Sequence, residues 1–400
     1  MTAARAPLAV THVSPFGDYE GQIVFSGAEN HLFQLMAGQR DAGLDVELLM
    51  LVVHDGPRLA AKAADLEASG IRVTRLVYDR SFAPAIGRVA WVVQLPRLVA
   101  LMRARRERIV HTHQPHASQL GRLAAATAGV ATIVDSVHND EPYFARADWR
   151  LRLKALERVT SATIAITGRV KAHLVGNVGL DGARITVVPY GIEPPAAVDR
   201  DGARRALGLP ADAFVVGFVG RLVPQKDLAT LLAAMKEFPD GHLAIVGAGE
   251  EAEPLRSEAA RLGLTNVLLA GARPNGADLM AAFDVLALPS RWEGLGLVLL
   301  EAMSRGVPIA ASRGGAIPEV LDGGELGLLS DVGDAPALAH SIRRLRHDAV
   351  LRAALIGRGL AAIQNRYSVT AMVAATTAVY EAARERRTGR PSHERRSAVS

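Results

Sequence analysis

Short β-branched runs alternate with longer alanine- and leucine-rich segments along most of this 400-residue chain. Each run is typical of a buried strand in a parallel sheet, and each longer segment is typical of the helix that returns the chain to the same edge. The alternation stops in the proline-rich segment 190–202 and then restarts, so the sequence predicts two successive doubly wound α/β domains. The predicted strands cover residues 8–13, 45–51, 109–113, 131–137, 162–166 and 185–189 before this linker, and 213–220, 242–247, 266–271, 284–289 and 307–312 after it.

The length of the chain agrees with this division, because 400 residues exceed what one ordinary core holds. We predict domains at residues 1–190 and 191–368, a last helix at 369–387 that braces both, and a disordered basic tail at 388–400. Parallel sheets bind ligands at the carboxyl ends of their strands, so a ligand shared by the two domains would lie in a central cleft.

The composition excludes several classes of protein. The chain has no cysteine, which removes disulfides, thiolate catalysis and cysteine-ligated zinc. Residues 384–400 hold six arginines and two glutamates, and with 4% aromatic residues the rest of the chain shows no signature of nucleic-acid binding. No apolar run reaches the ~18 residues of a membrane span, and the N-terminal apolar run is too short for a signal peptide, so we expect a cytoplasmic protein.

Two carboxylates eight positions apart, Glu293 and Glu301, mark the strongest candidate site. The pattern predicts a strand, a glycine-rich loop, a helix and a further strand, with Glu293 at the helix entrance and Glu301 about two turns in. Gly294 and Gly296 leave backbone N–H groups open to an anion at the positive end of this helix, whereas carboxylates accept hydrogen bonds from hydroxyls. A sugar nucleotide has both an anionic and a polyhydroxyl part.

A second cluster follows the first strand after the linker. There Gly220 allows a close turn, and Arg221 and Lys226 project from the loop between strand and helix. Two fixed cations near a helix N-terminus suit a departing diphosphate, without a metal ion to neutralise its charge. A third candidate is Gly27, at the end of a long first loop, where the backbone can approach a ligand; a plain helix cap is the alternative.

Histidines form the fourth candidate group. His111, His113 and His116 lie close in sequence, but no carboxylate stands at ligand spacing nearby, so we favour a cleft-lining or core role over a metal site. His138 follows the strand at 131–137 at its carboxyl end. It could bond a sugar hydroxyl there, or be an ordinary loop residue.

Two further motifs are interpreted as coincidental. Residues 246–251, VGAGEE, resemble a dinucleotide fingerprint but lack its third glycine and the acidic residue about 20 positions on, so we interpret them as a tight strand-to-helix turn. Asp199 and Asp201 form an Asp-x-Asp pair in the linker, beside no predicted strand end, and we discount a manganese site there.

Taken in order, the motifs resemble the family 4 retaining glycosyltransferases of GT-B fold. The resemblance rests on residues 26–30 (SGAEN), 187–193 (VVPYGIE), 220–227 (GRLVPQKD) and the Glu-x7-Glu segment that starts at Glu293, and it spans about residues 8–385. It implies two Rossmann-like domains that face a cleft, a nucleoside-diphosphate sugar as donor, and no metal or other cofactor.

The resemblance also implies roles for single residues. Arg221 and Lys226 match the family's diphosphate-binding pair, and Glu301 matches the carboxylate that holds the ribose. Gly27 matches the N-domain glycine loop, and His138 matches the histidine near the anomeric carbon. The segment that cradles the donor hexose and phosphate is matched by Glu293, Gly294, Leu295, Gly296 and Leu297.

The chain departs from the family pattern at three positions. Ser26 stands where a second glycine is frequent, Asp227 where glycine is usual and Tyr190 where asparagine is common. None of them affects the paired cations or carboxylates, so the departures leave the donor and the flexibility of the first loop open, not the class.

We therefore expect a retaining hexosyltransferase that moves a sugar from a nucleoside-diphosphate donor to a hydroxyl acceptor, glycan or lipid-linked, in cell-envelope glycolipid or exopolysaccharide synthesis. Uridine is the family's commonest donor base. The expected acceptor contacts are loops at 18–25 and 139–144. Two alternatives stay open: a GT-B epimerase or sugar phosphorylase, and an inactive nucleotide-sugar-binding protein.

Residues 89–109 carry a hypothesis of membrane contact. This segment is apolar on one side and basic towards its end, which permits peripheral docking on an anionic inner membrane face. Packing of the same helix on the first sheet is the favoured interpretation.

Overall fold

The computed structural model describes residues 7–17, 27–77, 90–140, 144, 146–195, 197, 199–273 and 276–388. The chain divides into two compact units: one runs up to Pro189 and resumes at Val369, and the other comprises Tyr190–Ser368. Each unit is built on one parallel sheet, as the β-branched runs predicted.

The first unit contains a seven-stranded sheet. Its strands are β1 (Ala9–Gly17), β2 (Asp45–His54), β3 (Arg72–Val77), β4 (Ile109–His113), β5 (Thr132–Val137), β6 (Ala162–Ala165) and β7 (Ile185–Val187). They lie in the order β3-β2-β1-β4-β5-β6-β7, so the strand order reverses between β1 and β4.

The second unit contains a six-stranded sheet. Its strands are β8 (Val215–Val219), β9 (His242–Val246), β10 (Val267–Gly271), β11 (Val285–Leu288), β12 (Ile309–Ser312) and β13 (Leu328–Ser330). They lie in the order β10-β9-β8-β11-β12-β13, so the order reverses between β8 and β11. In open parallel sheets such a reversal opens a crevice at the carboxyl ends of the two strands. The loops with the predicted cations and carboxylates follow β8 and β11.

Helices connect the strands. In the first unit they are α1 (Gly27–Asp41), α2 (Pro57–Ala68), α3 (Ala90–Arg103), α4 (Pro115–Thr127), α5 (Ala147–Glu157), α6 (Gly168–His173) and the last helix, α15 (Val369–Thr388). In the second unit they are α7 (Arg200–Leu207), α8 (Leu228–Met235), α9 (Ala252–Arg261), α10 (Gly276–Leu279), α11 (Leu297–Ser304), α12 (Ile317–Val320), α13 (Ala335–His347) and α14 (Ala349–Asn365).

All the predicted strands are present, and the structure adds two. The pattern missed β3 because this edge strand is half-exposed and carries arginines between its apolar residues. It missed β13 because three residues are too short to show a period.

The helix α3 packs on the first sheet, which was the favoured interpretation of residues 89–109. Its Leu98, Val99 and Met102 are buried in the same core cluster as Val13 and Val110 of the sheet. Among the described residues, no helix combines the length and apolar character needed to cross a bilayer.

The last helix, α15, packs on the first unit. Its Val379, Tyr380 and Ala383 join a buried cluster that includes Val10 and Val134. The predicted bracing of both units by this helix stays a prediction, as do the predicted domain boundaries.

The close approach of α1 and α15 predicts a response to substitution at Gly38. A Cβ atom there would lie 2.5 Å from Val369 Cγ1 and 2.8 Å from Val373 Cγ2. Gly38→Ala should therefore lower the melting temperature, because overpacking costs about 1–3 kcal/mol. Gly357→Ala is the matched control: its Cβ meets nothing within 4 Å, and alanine in a helix gains about 1 kcal/mol over glycine. Thermal denaturation of both variants checks this, and a rise in melting temperature with Gly38→Ala would contradict the packing.

Candidate functional site

The loop after β8 carries both predicted cations. It runs from Val219 through a short 3-10 helix at Pro224–Lys226 into α8. Arg221 is exposed, and none of the described residues forms an ion pair or hydrogen bond with its side chain. Lys226 is largely enclosed, with 13% of its side chain exposed. One cation is thus open to a ligand, and the other is held inside the loop.

Lys226 forms an ion pair with Glu293. Its Nζ lies 2.5 Å from Glu293 Oε1, and 8% of the Glu293 side chain is exposed. Ser290 Oγ donates a hydrogen bond to the same oxygen at 2.7 Å. Removing either of two enclosed opposite charges leaves the other unpaired, so each holds its partner in place. The sequence analysis identified both residues as candidates, but no feature of the sequence indicated that they form an ion pair.

Further contacts tie the loop after β8 to the loop after β11. Gln225 Nε2 donates to the Trp292 carbonyl at 2.7 Å, and the Arg291 N–H donates to the Gln225 carbonyl at 2.8 Å. Arg221, Lys226 and Glu293 are therefore carried by one joined pair of loops. Gln225 is a positioning residue that sequence reasoning did not identify.

A glycine pair encloses the other side of Glu293. A Cβ atom at Gly314 would lie 2.2 Å from the Ser290 carbonyl oxygen, and one at Gly315 would lie 2.4 Å from the Glu293 nitrogen. The Ala316 N–H donates to the Glu293 carbonyl at 2.9 Å. Only glycine allows this approach of two backbones, so the Gly-Gly pair after β12 was the available sequence signal for the enclosure.

The helix α11 begins later than predicted. Gly296 is its N-cap, with a left-handed φ of 80°, and Leu297 is its first residue. Glu293 therefore lies in the loop before the helix. Glu301, the fifth helical residue, lies just over one turn in rather than two. The prediction counted its two turns from Glu293, although the glycine-rich loop that it also predicted takes up the first part of that span.

Glu301 occupies a half-buried position on α11. Burial raises the pKa of its carboxyl group, and the nearby Arg305 opposes this rise. Arg305 in turn pairs with Asp278 at 2.7 Å. In the part of the chain that the structure describes, no group donates a hydrogen bond to the Glu301 carboxylate. Its oxygens can therefore accept hydrogen bonds from a ligand.

Asp227 has a backbone conformation that explains the family's usual glycine. Its φ is 49°, in the left-handed region, between the 3-10 helix and α8. Glycine adopts this region without strain, and aspartate is one of the few other residues found there. This departure from the family pattern thus keeps the turn.

The VGAGEE segment forms the turn between β9 and α9. A Cβ at Gly247 would lie 1.8 Å from the Gly220 carbonyl oxygen, and one at Gly249 would lie 2.2 Å from that of Leu222. The Gly220 N–H donates to the Val246 carbonyl at 3.0 Å. These glycines therefore let the turn pack against the loop that carries Arg221.

In the first unit, the structure brings His138 close to the start of α1. Gly27, the first described residue of α1, is exposed. The adjacent Ala28 lines a cavity of about 230 Å³ together with His138 and Gln114. Gln114 Nε2 donates to Glu29 Oε1 at 2.7 Å, which ties the start of α4 to the start of α1.

The lining of the same cavity includes a pair of charged side chains and two aromatic side chains. Arg122 and Asp135, both buried, pair at 3.4 Å, and Thr112 Oγ1 donates to Asp135 at 2.6 Å. Phe144 and Trp149 form part of the wall. The buried charges are thus committed to each other.

A buried histidine cluster adjoins His138. His12 of β1 lies opposite His111 of β4 in the strand register, and these two and His113 bring ring nitrogens within 4.8 Å of one another. His12 Nδ1 lies 2.9 Å from His113 Nε2, and His113 Nδ1 lies 3.3 Å from His138 Nε2. Sequence reasoning did not identify His12, because only the register of β1 against β4 brings it to the others. The side chain of His116 is outside the described part of the structure.

Burial keeps these histidines neutral. It lowers the pKa of His12 and of His138 to about 4. It also lowers the pKa of His111 and His113 well below the usual value, and the neighbouring histidines add to this effect. At neutral pH each ring therefore has one donor and one acceptor nitrogen.

Some predicted features lie outside the described residues. They are Ser26 and the first acceptor loop at 18–25, residues 141–143 of the second acceptor loop, and the tail from residue 389.

The neutral histidines predict how stability depends on pH. In the unfolded chain they bind protons near pH 6.5, whereas His12 and His138 in the fold do so near pH 4. The unfolded state therefore binds more protons below pH 6.5, and the free energy of unfolding should fall by up to about 1.4 kcal/mol per histidine per pH unit. Urea denaturation at pH 6.5 and 5.0 measures this fall. The exposed His347→Gln is the control that should retain it, and equal stability at both values would contradict the burial of neutral rings.

Two family models match the chain. The model described as Glycosyltransferase Family 4 matches residues 25–194, and the model described as Glycosyl transferases group 1 matches residues 199–360. The first match falls in the first unit except for its last five residues, and the second lies wholly within the second unit.

The matches to curated relatives cover about two thirds or more of each relative's length. The chain is 32% identical over 275 residues to the UDP-Gal:alpha-D-GlcNAc-diphosphoundecaprenol alpha-1,3-galactosyltransferase of Escherichia coli, covering 64% of this chain and 70% of the relative. It is 34% identical over 312 residues to the D-inositol 3-phosphate glycosyltransferase of Acidothermus cellulolyticus, covering 70% and 68%.

Solved structures match the fold of nearly the whole chain. Anabaena HepE in complex with UDP superposes with a TM-score of 0.76 at 23% identity, covering 94% of this chain and all of that one. The sucrose-phosphate synthase of Thermosynechococcus elongatus gives 0.75 at 22% identity, covering 94% and 98%. At these identities the likeness concerns the fold, and it confirms the predicted GT-B class with two Rossmann-like domains.

The resemblance inferred from the motifs is thereby confirmed. The relatives in these comparisons are glycosyltransferases, and neither the epimerase or phosphorylase alternative nor the inactive-protein alternative is favoured. This chain belongs to glycosyltransferase family 4.

Proposed function

We propose that this glycosyltransferase moves a hexose from a UDP-sugar to a hydroxyl of a lipid-linked or glycan acceptor, with retention at the anomeric carbon and without a metal ion or other cofactor. The observation that carries the proposal is the Lys226–Glu293 pair beside the exposed Arg221, at the strands where the second sheet reverses its order. The E. coli relative is named for UDP-Gal and a diphosphoundecaprenol-linked sugar, and HepE binds UDP, which supports this donor and acceptor class.

The departing diphosphate is the largest charge that the reaction creates. Arg221 is exposed and can form two parallel hydrogen bonds to phosphate oxygens. Lys226 keeps Glu293 on one of its three donors and has others for the diphosphate. The free N–H groups at the start of α11, beginning at Leu297, add partial positive charge. These groups replace a metal ion in the proposal.

The carboxylates hold the hydroxyl-bearing parts of the donor. Glu293 is fixed by Lys226 and Ser290 through Oε1, so Oε2 is the oxygen we assign to a hexose hydroxyl. Gly294 to Gly296 and Leu297 supply backbone groups beside it. Glu301, to whose carboxylate no described residue donates, accepts the ribose hydroxyls.

Retention follows from front-face departure in this proposal. The bond from the anomeric carbon to the diphosphate oxygen breaks, and the acceptor oxygen bonds to the same face while its proton passes to a diphosphate oxygen. A double displacement would need a protein carboxylate as nucleophile. Of the described residues that line the cavity beside His138, Asp135 is the one carboxylate, and it is engaged by Arg122 and Thr112. Asp140, two residues after His138, pairs with Arg169 at 2.7 Å.

The first unit contributes Gly27 and His138. A neutral imidazole, as the lowered pKa of His138 implies, can bond a sugar hydroxyl without placing a positive charge beside a developing oxocarbenium ion. We assign this contact to His138. Gly27 offers exposed backbone at the start of α1 for the diphosphate.

We place the reaction in the cytoplasm, where sugar nucleotides are made. Peripheral contact of α3 with an anionic membrane has less support, because Arg105 and Arg108 after this helix form ion pairs with Glu47 and Asp45. Those arginines are therefore partly committed within the first unit.

The donor site predicts which nucleotide stabilises the protein. UDP should raise the melting temperature more than GDP, ADP or CDP, equally with and without EDTA, and a ligand at 100 times its dissociation constant adds about 2.7 kcal/mol.

The proposed role of Arg221 predicts the effect of its removal. Arg221→Ala should lower turnover about a hundredfold or more, because one lost contact to the departing diphosphate raises the barrier by about 3–4 kcal/mol.

The matched control is Arg256→Ala, which removes another exposed arginine of the second unit, one paired with Glu253. Its UDP stabilisation and turnover should equal those of the unchanged protein. Loss of UDP binding in EDTA would overturn the metal-free site. Turnover near normal in Arg221→Ala would overturn its role, and inversion in the product, read by NMR of the new linkage, would overturn retention.

A further inference from the structure

An unbroken chain of hydrogen bonds connects His138 to the last helix. From His138 it passes through His113 to His12, whose Nε2 lies 2.8 Å from Gln39 Oε1. Gln39 Nε2 donates to the Tyr380 hydroxyl at 3.1 Å. His12, Gln39 and Tyr380 are fully buried, and the hydrogen-bond chain thus joins the segment after β5 to β4, β1, α1 and α15.

The hydrogen-bond chain continues from Tyr380 through His111 and ends at Ser136. The Tyr380 hydroxyl lies 2.7 Å from His111 Nδ1, and His111 Nε2 lies 2.7 Å from Ser136 Oγ. Every ring nitrogen of His12, His111 and His113 therefore has a hydrogen-bond partner.

The amide of Gln39 sets the direction of this chain. An amide oxygen only accepts, so His12 Nε2 carries a proton and His12 Nδ1, in a neutral ring, accepts. His113 Nε2 must then donate to His12, and His113 Nδ1 must accept from His138 Nε2. The proton of His138 is thus placed on Nε2 by a residue three hydrogen bonds away.

Tyr380 bonds the other end of that amide. Its hydroxyl accepts from Gln39 Nε2 and can donate to His111 Nδ1, which leaves His111 Nε2 to donate to Ser136. Reversing the Gln39 amide would reverse every bond between it and His138 and place the His138 proton on Nδ1.

We infer that Gln39 and Tyr380 are positioning residues for His138, which fix its tautomer through His12 and His113. The inference rests on the proposed function only in that His138 contacts the donor there. With Nε2 protonated towards His113, Nδ1 is the acceptor nitrogen of the His138 ring, and it is the atom to which the proposed function assigns the contact with a sugar hydroxyl. The opposite tautomer presents a donor N–H at Nδ1.

A metal site at the same histidines is the competing interpretation. His12, His111 and His113 are close enough to share an ion. Zinc, however, takes the acceptor lone pair of a ring nitrogen, and here each acceptor nitrogen is engaged by a neighbour's proton. Metal binding would need to break the bonds to His12 from His113 and to His111 from Tyr380. The hydrogen-bond chain satisfies all three rings without an ion.

The tautomer can be read directly. Long-range 1H–15N correlation spectra of protein labelled with 15N-histidine distinguish the two tautomers, and His138→Gln identifies the His138 signals. We expect the Nε2–H form in the unchanged protein. Gln39→Met removes the acceptor, and Tyr380→Phe frees the amide to reverse, so both should give mixed His138 tautomers. The transfer rate should fall with the lost Nε2–H fraction, about twofold for an equal mixture.

Thr112→Val is the matched control. Thr112 is buried between His111 and His113 on β4, but its hydroxyl bonds Asp135 outside the chain. This variant should keep the His138 tautomer whatever its stability. An unchanged tautomer in both Gln39→Met and Tyr380→Phe would overturn the inference. One equivalent of zinc in the purified protein, lost in His12→Asn, would also overturn it. If both variants give a mixed His138 tautomer but an unchanged transfer rate, the inference about the tautomer stands. The proposed contact of His138 with the donor sugar is then contradicted instead.

Discussion

The ion pair between Lys226 and Glu293 is the contact on which the candidate site depends. Burying two opposite charges has a desolvation cost that their attraction barely offsets, so such a pair is a weak source of stability. Its structural effect is larger: it joins the loops after β8 and β11, the two strands where the second sheet reverses its order. The loops hold each other through Gln225 as well. An apolar pair could join the loops, but it would supply neither a cation for phosphate nor an acceptor for a sugar hydroxyl.

The candidate site residues of the two units differ in charge. The second unit concentrates charge around Lys226, Glu293 and the exposed Arg221, which suits a diphosphate whose charge grows as it leaves. The first unit instead keeps a connected set of neutral rings, because burial lowers the pKa of His12 and His138 to about 4. A neutral, directional hydrogen-bond chain orients a ligand without adding charge. In the proposed function, charge stabilisation is thus assigned to residues of the second unit and orientation to residues of the first.

Much of the fold was predictable from the sequence, because buried parallel strands are short apolar runs and every such run is found. Arg221 and Lys226, Glu293 and Glu301 were identified by their place after β8 and β11 and by the family resemblance. Contacts that depend on tertiary register were not predictable. Nothing near His12 in sequence marks it, since only the pairing of β1 with β4 sets it opposite His111. The depth of Glu301 in α11 was overestimated, because part of its spacing from Glu293 is the glycine-rich loop and not helix.

A double-mutant cycle tests the central claim most directly. Lys226→Met, Glu293→Gln and the combination of both are compared for their UDP dissociation constants by calorimetry. If the pair acts as a unit, each single change weakens UDP binding about tenfold or more, and the double variant is little weaker than either single one. The coupling energy should then be at least about 1.4 kcal/mol, whereas independent sites add to within about 0.5 kcal/mol. Additive losses would show that Lys226 and Glu293 bind the donor independently, and would contradict the account.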